Sequence, residues 1–534
     1  MTTKSFFIVS TFLFMLCTAC NPSTVLGDDD TESTDGNTSD EEDNDALQTE
    51  AVSDFVWDNT DVASITLNGT SISSSSTNVT ISGSTATITS GGYYSISGTL
   101  SNGQIVVKAD SGIVKIQLNN ASLTNTSSSP LYIKKAKKAV FFLADGTTNS
   151  VTDASSYSNS DEPNAAIFSN DYLGFTGTGA LSVKGNYNDG ISSDDQIIIN
   201  NGQITVNAKD DAIRGKDYLL VKDGTITATA STGHALKSDN ADDNGYGYVK
   251  ITGGTLNLTS TSGDGIHGVK RSIVNGGTLN ISAASSQGLK SDSLVIINGG
   301  NTNIKSSREG IESPYITVTD GTLTINASDD GFNASKGNGG ESNDGSLLTI
   351  NGGDVAIFTT TGDAIDSNGN IGMTGGTVIA HGPKSQPEVG LDYNGTFNIT
   401  GGFLVVSGIY SSNMTQATST SSSQCALKIV SGGTTSGGGM GGMGSNSGTT
   451  LSSTTLIHVE DASGNNLLTF QPNKSYSSIL FSSSSLKKNA SYNIYTGGTS
   501  TGTVTNGLYS GGTYSGGTLK STTTVSSSVT TISF

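Results

Sequence analysis

The residues with chemistry to offer are carboxylates in pairs. In Asp363-Ala364-Ile365-Asp366 two acids stand three apart around an aliphatic residue, and Glu309-Gly310-Ile311-Glu312 repeats the spacing. Two such carboxylates could act as general acid and base, hold a metal ion, or shape a polar turn. The same position recurs through the chain as Asp189, Asp211, His234, Asp264, Gln287, Glu309, Asp330, Asp363 and Val389. Three residues on, the series reads Ser192, Arg214, Lys237, His267, Lys290, Glu312, Asn333, Asp366 and Asp392. The acids concentrate toward the C-terminal end, where Asp329 adjoins Asp330.

The elements that must position these residues are set by a glycine. It precedes a short run of alternating apolar residues, as in "NGGTLNIS" and "TDGTLTIN", at Gly179, Gly202, Gly224, Gly254, Gly277, Gly300, Gly321, Gly353, Gly376 and Gly402. The period is about 22 residues, with two insertions. Each unit carries a turn, an alternating strand, a second turn with an acid and Gly or Ala, one aliphatic residue, and a further short strand. A single unit cannot cover its own apolar face, whereas stacked units share a continuous core. The expected fold is therefore all-β, a single-stranded parallel β-helix whose coils lie about 4.8 Å apart. Leucine-rich spacing and the calcium-binding nonapeptide are both absent.

Stacking turns each series into a ladder on one outer ridge, with residues such as Ile311, Phe332 and Ile365 pointing inward. Stacked acids repel unless they are hydrated, shielded or bound to a cation. Calcium accepts roughly six to eight oxygen ligands without rigid geometry. The expected calcium ligands are Glu309, Glu312, Asp329, Asp330, Asp363, Asp366 and Asp392, with Asp189, Asp211 and Asp264 further back along the ridge. A polar turn is the competing reading for any single acid, since Asp-Gly is an ordinary turn dipeptide. "NADDNG" (Asn240 to Gly245) begins like an EF-hand loop but has Ile251 where the bidentate Glu belongs. His234 and His267 fall in different ladders about two coils apart and, without cysteines nearby, do not make a zinc set.

Four bases, Arg214, Lys237, Lys290 and Arg308, interrupt or flank the ladders. They could balance the carboxylates, bind an anionic ligand beside bridging calcium, or remove a proton in an elimination. No one of them is set apart by its context.

Composition bounds the remainder. Of 534 residues 69 are glycine, only 13% are charged, and the net charge of −20 argues against a nucleic-acid partner. Residues 1–19 read as a lipoprotein-type signal, with Lys4, the apolar "FFIVSTFLFML", and Thr18-Ala19 before Cys20. Cys20 would then carry lipid and hold an exported protein at a membrane, facing the cell exterior or periplasm; an uncleaved anchor is the alternative. Residues 20–51 hold eleven acids from Asp28 to Glu50 and no base, which suits a solvated tether. The repeat, with looser coils at its start, occupies 52–410. Residues 411–450 form a Gly/Ser/Thr-rich linker or loop, and 451–534 a small β module that could cap the stack.

"REGIESPYITVTDGTLTINASDDGFNAS", "GDAIDSNGNIGMTGGTVIAHGP" and "GLDYNGTFNITGG" carry a family likeness. The chain resembles the bacterial secreted carbohydrate-binding β-helix family whose characterised clostridial member binds polygalacturonate and cellulose, over most of residues 52–410. The resemblance implies a right-handed helix, similar in fold to calcium-dependent pectate lyases, with calcium sites and an acidic, pectin-like polysaccharide as partner; a monomer is expected. It does not by itself imply catalysis. The alternatives it leaves are a polysaccharide lyase using Lys237, Lys290, Arg214 or Arg308 as base, and an adhesin whose calcium is purely structural. Family members often carry an aromatic residue where this chain has Arg308, so ligand contact there is expected to differ.

Overall fold

A computed structural model describes residues 51–534, apart from 111, 159–162, 338–339, 341 and 433–447. The signal segment, Cys20 and nearly all of the acidic tether lie outside the described residues, as does the Met-studded part of the 411–450 stretch. The described chain is all-β, with one short 3-10 turn at Val52–Phe55.

Through the repeat each period contributes three strands rather than the two the pattern suggests. In one period these are Thr278–Ala283, Leu289–Lys290 and Leu294–Ile297. Thr278–Ala283 pairs in parallel with Thr255–Ser260 on one side and Asn301–Ser307 on the other. The other two likewise pair with Ile266–Gly268 and Arg271–Val274 of the preceding period. The extra strand is the residue pair or triplet after the acid turn. It is too short to show alternation in sequence, yet it belongs to a continuous 14-stranded sheet.

Burial follows from this register. Leu279, Ile281, Leu289, Val295 and Ile297 all face one shared core, joined there by Ile311, Phe332, Ile365 and Leu391. The glycine mark has a conformational cause. From Gly202 to Gly402 every marking glycine takes positive φ, a region that side chains with a Cβ seldom enter. At Gly300 (φ +81°) a Cβ would also come within 2.8 Å of the backbone of Gly276 and Gly277, one coil away.

At the C-terminal end the parallel order stops. Ser478–Ser483 lies antiparallel to Phe403–Gly408, covering the edge of the last parallel strand. Ala426–Val430, inside the stretch expected as linker, is itself a buried strand pairing with Ser478–Ser483 and Val529–Ser533. Six further strands between Ile457 and Thr524 make a separate sheet. Residues 50–534 form one compact unit, so the C-terminal strands and the repeat are not independent bodies.

Candidate functional site: a carboxylate ridge

Strand pairing aligns the second series residue by residue. Ser192 faces Arg214, Arg214 faces Lys237, Lys237 faces His267, and His267 faces Lys290. Lys290 then faces Glu312, Glu312 faces Asn333, Asn333 faces Asp366, and Asp366 faces Asp392. The intervening aliphatic residue is buried in each coil, so the side chains on this ladder share the outer face of the short-strand sheet.

The first series does something the sequence does not reveal. Its side chains accept the backbone N–H of the equivalent residue one coil on: Asp189 from Asp211 at 3.2 Å, Asp211 from His234 at 2.7 Å, and Asp264 from Gln287 at 3.1 Å. Asp330 accepts from Asp363 at 2.7 Å and Asp363 from Val389 at 2.5 Å. These acids satisfy turn amides that no strand partner reaches. Each uses one oxygen for this, and a carboxylate keeps a second for other ligands.

The ridge divides into two halves by charge. In the N-terminal half the acids have partners: Lys237 lies 2.9 Å from Asp211, and Arg214 lies 2.9 Å from Asp239. Lys290 sits at the boundary, 3.3 Å from Glu312. Asp189, Asp210 and Asp211 nevertheless gather ligand atoms within 4.8 Å of one another. Burial, and then the Asp211 charge, pushes the Asp189 carboxyl up to about 7.

In the C-terminal half acids outnumber bases. Glu309, Asp329 and Asp330 form one set with ligand atoms within 4.8 Å, and Asp363, Asp366 and Asp392 form another. Arg308 is the base at hand, paired with Glu309 and 3.3 Å from Asp329. Burial and the neighbouring Glu312 push Glu309 up to about 7. Burial and Asp329 do the same to Asp330. Asp363 rises to about 9, chiefly through burial, with the charges of Asp330, Asp366 and Glu388 adding to it. Such shifts mark carboxyls that are buried first of all, with neighbouring acids adding to the rise.

Two residues at this end escaped the sequence reading. Asn333 sits between Glu312 and Asp366 on the ladder, and its Oδ1 is buried without a hydrogen-bond partner. Glu388 adds negative charge against both Asp330 and Asp363. Counting charge alone passes over a neutral amide oxygen, although Asn333 was visible in the series. The carboxylates of Asp363, Asp366 and Asp392 are oxygen donors of the kind calcium takes, and Asn333 neighbours Asp366 on the ladder. Asp392 is steadied by Gln416, whose Nε2 donates to Oδ1 at 2.6 Å.

The histidines depart from expectation. His234 and His267 are one coil apart, not two, because the insertion around Asn240 to Gly245 lengthens the chain between them without adding a coil. Their rings lie 4.8 Å apart, and both Nδ1 atoms approach Asp264 Oδ2, at 3.2 and 3.1 Å. Burial would raise Asp264, but the hydrogen-bonding groups around it, Ser286 Oγ among them, outweigh burial and hold the carboxyl below its ordinary range. Burial likewise opposes the charge on His267, yet Asp264 and Asp292 prevail and lift it to about 9. Asp264 therefore sits in a mixed nitrogen and oxygen setting, unlike the acids at the other end.

With this geometry in view, residues 82–331 match the family model described as "Carbohydrate-binding domain-containing protein". That stretch takes in the ridge as far as Asp330 and stops before Asp363. A curated "Carbohydrate-binding domain-containing protein" of Acetivibrio thermocellus is 41% identical over 126 residues, which are 23% of this chain and 44% of the relative. The chain thus spans less than half the length of that relative. A solved structure, "Structure of the polysaccharide lyase-like protein from C. thermocellum, Gadolinium derivative", is 30% identical; the alignment covers 46% of this chain and 94% of that one, with a TM-score of 0.40.

Proposed function

We propose that this protein is a non-catalytic carbohydrate-binding protein that takes an acidic, polygalacturonate-like polysaccharide through calcium held on the carboxylate ridge. The observation that carries the reading is the acid-rich end of the ridge, where Asp363, Asp366 and Asp392 converge and the ladder neighbour of Asp366, Asn333, has a buried Oδ1 without a hydrogen-bond partner. Calcium there would join protein carboxylates to sugar carboxylates, two groups that otherwise repel. The match of residues 82–331 to a carbohydrate-binding model supports the ligand class. The three parallel ladders support winding as a right-handed parallel β-helix, which would present the ridge along one side of the rod.

The lyase alternative needs a free base. Lys237 and Arg214 face carboxylates at 2.9 Å, Lys290 faces one at 3.3 Å, and Arg308 is paired with Glu309. Burial disfavours the charged form of Lys237, yet Asp211 and Asp239 outweigh it and hold the ammonium protonated. A base in that state does not take a sugar proton. Charge balance is what these contacts support.

The reading also includes export and a lipid anchor at Cys20, with the acidic segment as spacer; Cys20→Ser should release the protein from the membrane fraction. A glycan array run with and without calcium tests the binding claim. Calcium-dependent signal on polyuronates is expected, and signal confined to neutral glycans would sink it. Ultraviolet absorbance of unsaturated product, accumulating during incubation with polygalacturonate, would replace binding by lyase activity.

A further inference from the structure

We infer that His234, His267 and Asp264 form a second metal site, of a different kind from the oxygen ridge, that takes a divalent transition metal of the zinc class. Asp264 Oδ2 lies 3.2 Å from His234 Nδ1 and 3.1 Å from His267 Nδ1. Ligand atoms around tetrahedral zinc, with bonds of about 2.0–2.2 Å, stand about 3.3 Å from one another. The two contacts through Asp264 therefore already have the length of tetrahedral edges. The two imidazoles are 20% and 18% exposed, although both ring nitrogens of His267 are buried, so the site lies just beneath the surface.

Hydrogen bonding around the trio points the same way. The Asp264 amide donates to His234 Nδ1 at 3.0 Å. A backbone N–H can only donate, so that nitrogen bears a lone pair, and it faces a carboxylate oxygen with no proton between them. His267 is close to Asp264 Oδ2, yet neither of its ring nitrogens makes a hydrogen bond. A shared cation relieves both conditions.

The surroundings are built to hold the ligands in place. Asp264 Oδ1 is occupied by Ser286 Oγ at 2.5 Å and the Gln287 amide at 3.1 Å, which fixes Oδ2 toward the imidazoles. Asp292 Oδ1 lies 3.6 Å from His267 Nε2, on the other ring nitrogen from Asp264, beyond hydrogen-bond reach but near enough to add negative charge beside the imidazole. The flanking bases are engaged elsewhere, Lys237 with Asp211 and Lys290 with Glu312. Two imidazoles and one carboxylate favour zinc, cobalt or nickel, whereas calcium favours the all-oxygen end. Because the metal must displace the Asp264 amide from His234, micromolar rather than tighter affinity is expected.

The test uses the full chain saturated with calcium and titrated with cobalt(II), then zinc. One cobalt per chain with the intense visible band of tetrahedral coordination is expected, displaced by zinc. His267→Gln and His234→Gln should each weaken binding at least tenfold, while Asp366→Asn leaves it unchanged. Zinc should also raise the unfolding temperature of the unaltered protein, a readout that survives if a variant fails to fold. No saturable binding below millimolar metal, or binding undiminished in folded histidine variants, would show a protonated imidazole–carboxylate cluster only and overturn the site.

Discussion

Asp363→Asn is expected to stabilise the calcium-free protein and to weaken the calcium-loaded one. The carboxyl is buried, and its rise to about 9 means that folding at neutral pH must protonate an acid that is ionised in the unfolded chain. At ~1.4 kcal/mol per pH unit between the ordinary value and neutrality, that cost reaches roughly 4 kcal/mol. Asparagine removes it while Oδ1 still accepts the Val389 amide now held at 2.5 Å. With calcium present the same change deletes a charged ligand, and affinity should fall by at least the roughly 10- to 100-fold that loss of an outer-shell partner costs. Thermal unfolding in chelator and in millimolar calcium reads both effects. A lower unfolding temperature in chelator, with the calcium-induced rise intact, would mean that Asp363 serves the turn alone.

The second large effect is the pH dependence of the calcium-free protein. Glu309, Asp330 and Asp363 have folded values raised to about 7, 7 and 9. A raised group contributes stability that is complete below its unfolded value and is lost as pH climbs through its folded value. His267, raised to about 9, acts in the same direction over the upper part of the range. The unfolding temperature without calcium should therefore fall steadily from about pH 5 to about pH 9. Calcium, which binds the ionised carboxylates, should flatten or reverse that slope. Calorimetry across this range with and without chelator decides the matter: a calcium-free profile that is flat or rises with pH would contradict the assignment.

Much of the fold was legible because one physical constraint repeats. The positive-φ turn demands glycine, so the glycines keep time, and the register they set aligned Ser192 through Asp392 as strand pairing places them. What was not legible depends on three-dimensional detail. The strand at Leu289–Lys290 is two residues long and has no periodicity to detect. Whether an acid such as Asp211 points to solvent or folds back onto the next coil's amide is a rotamer choice. The pairing of His234 with His267 was hidden by an insertion that lengthens the sequence without adding a coil. Ala426–Val430 was masked by the Ser/Thr-rich residues on either side.

The central claim is that calcium at the Asp363, Asp366 and Asp392 end joins the protein to a uronate polymer. Retention of the full chain on immobilised polygalacturonate tests it most directly, comparing calcium with chelator and the unaltered protein with Asp366→Asn. Asp366 is partly buried on the ladder and lies outside the series of turn-capping acids, so the isosteric change to Asn should leave the fold in place. The account predicts retention of the unaltered protein in calcium, release by chelator, and little retention of a folded Asp366→Asn variant. Retention that persists in chelator, or that is undiminished by Asp366→Asn, would contradict it.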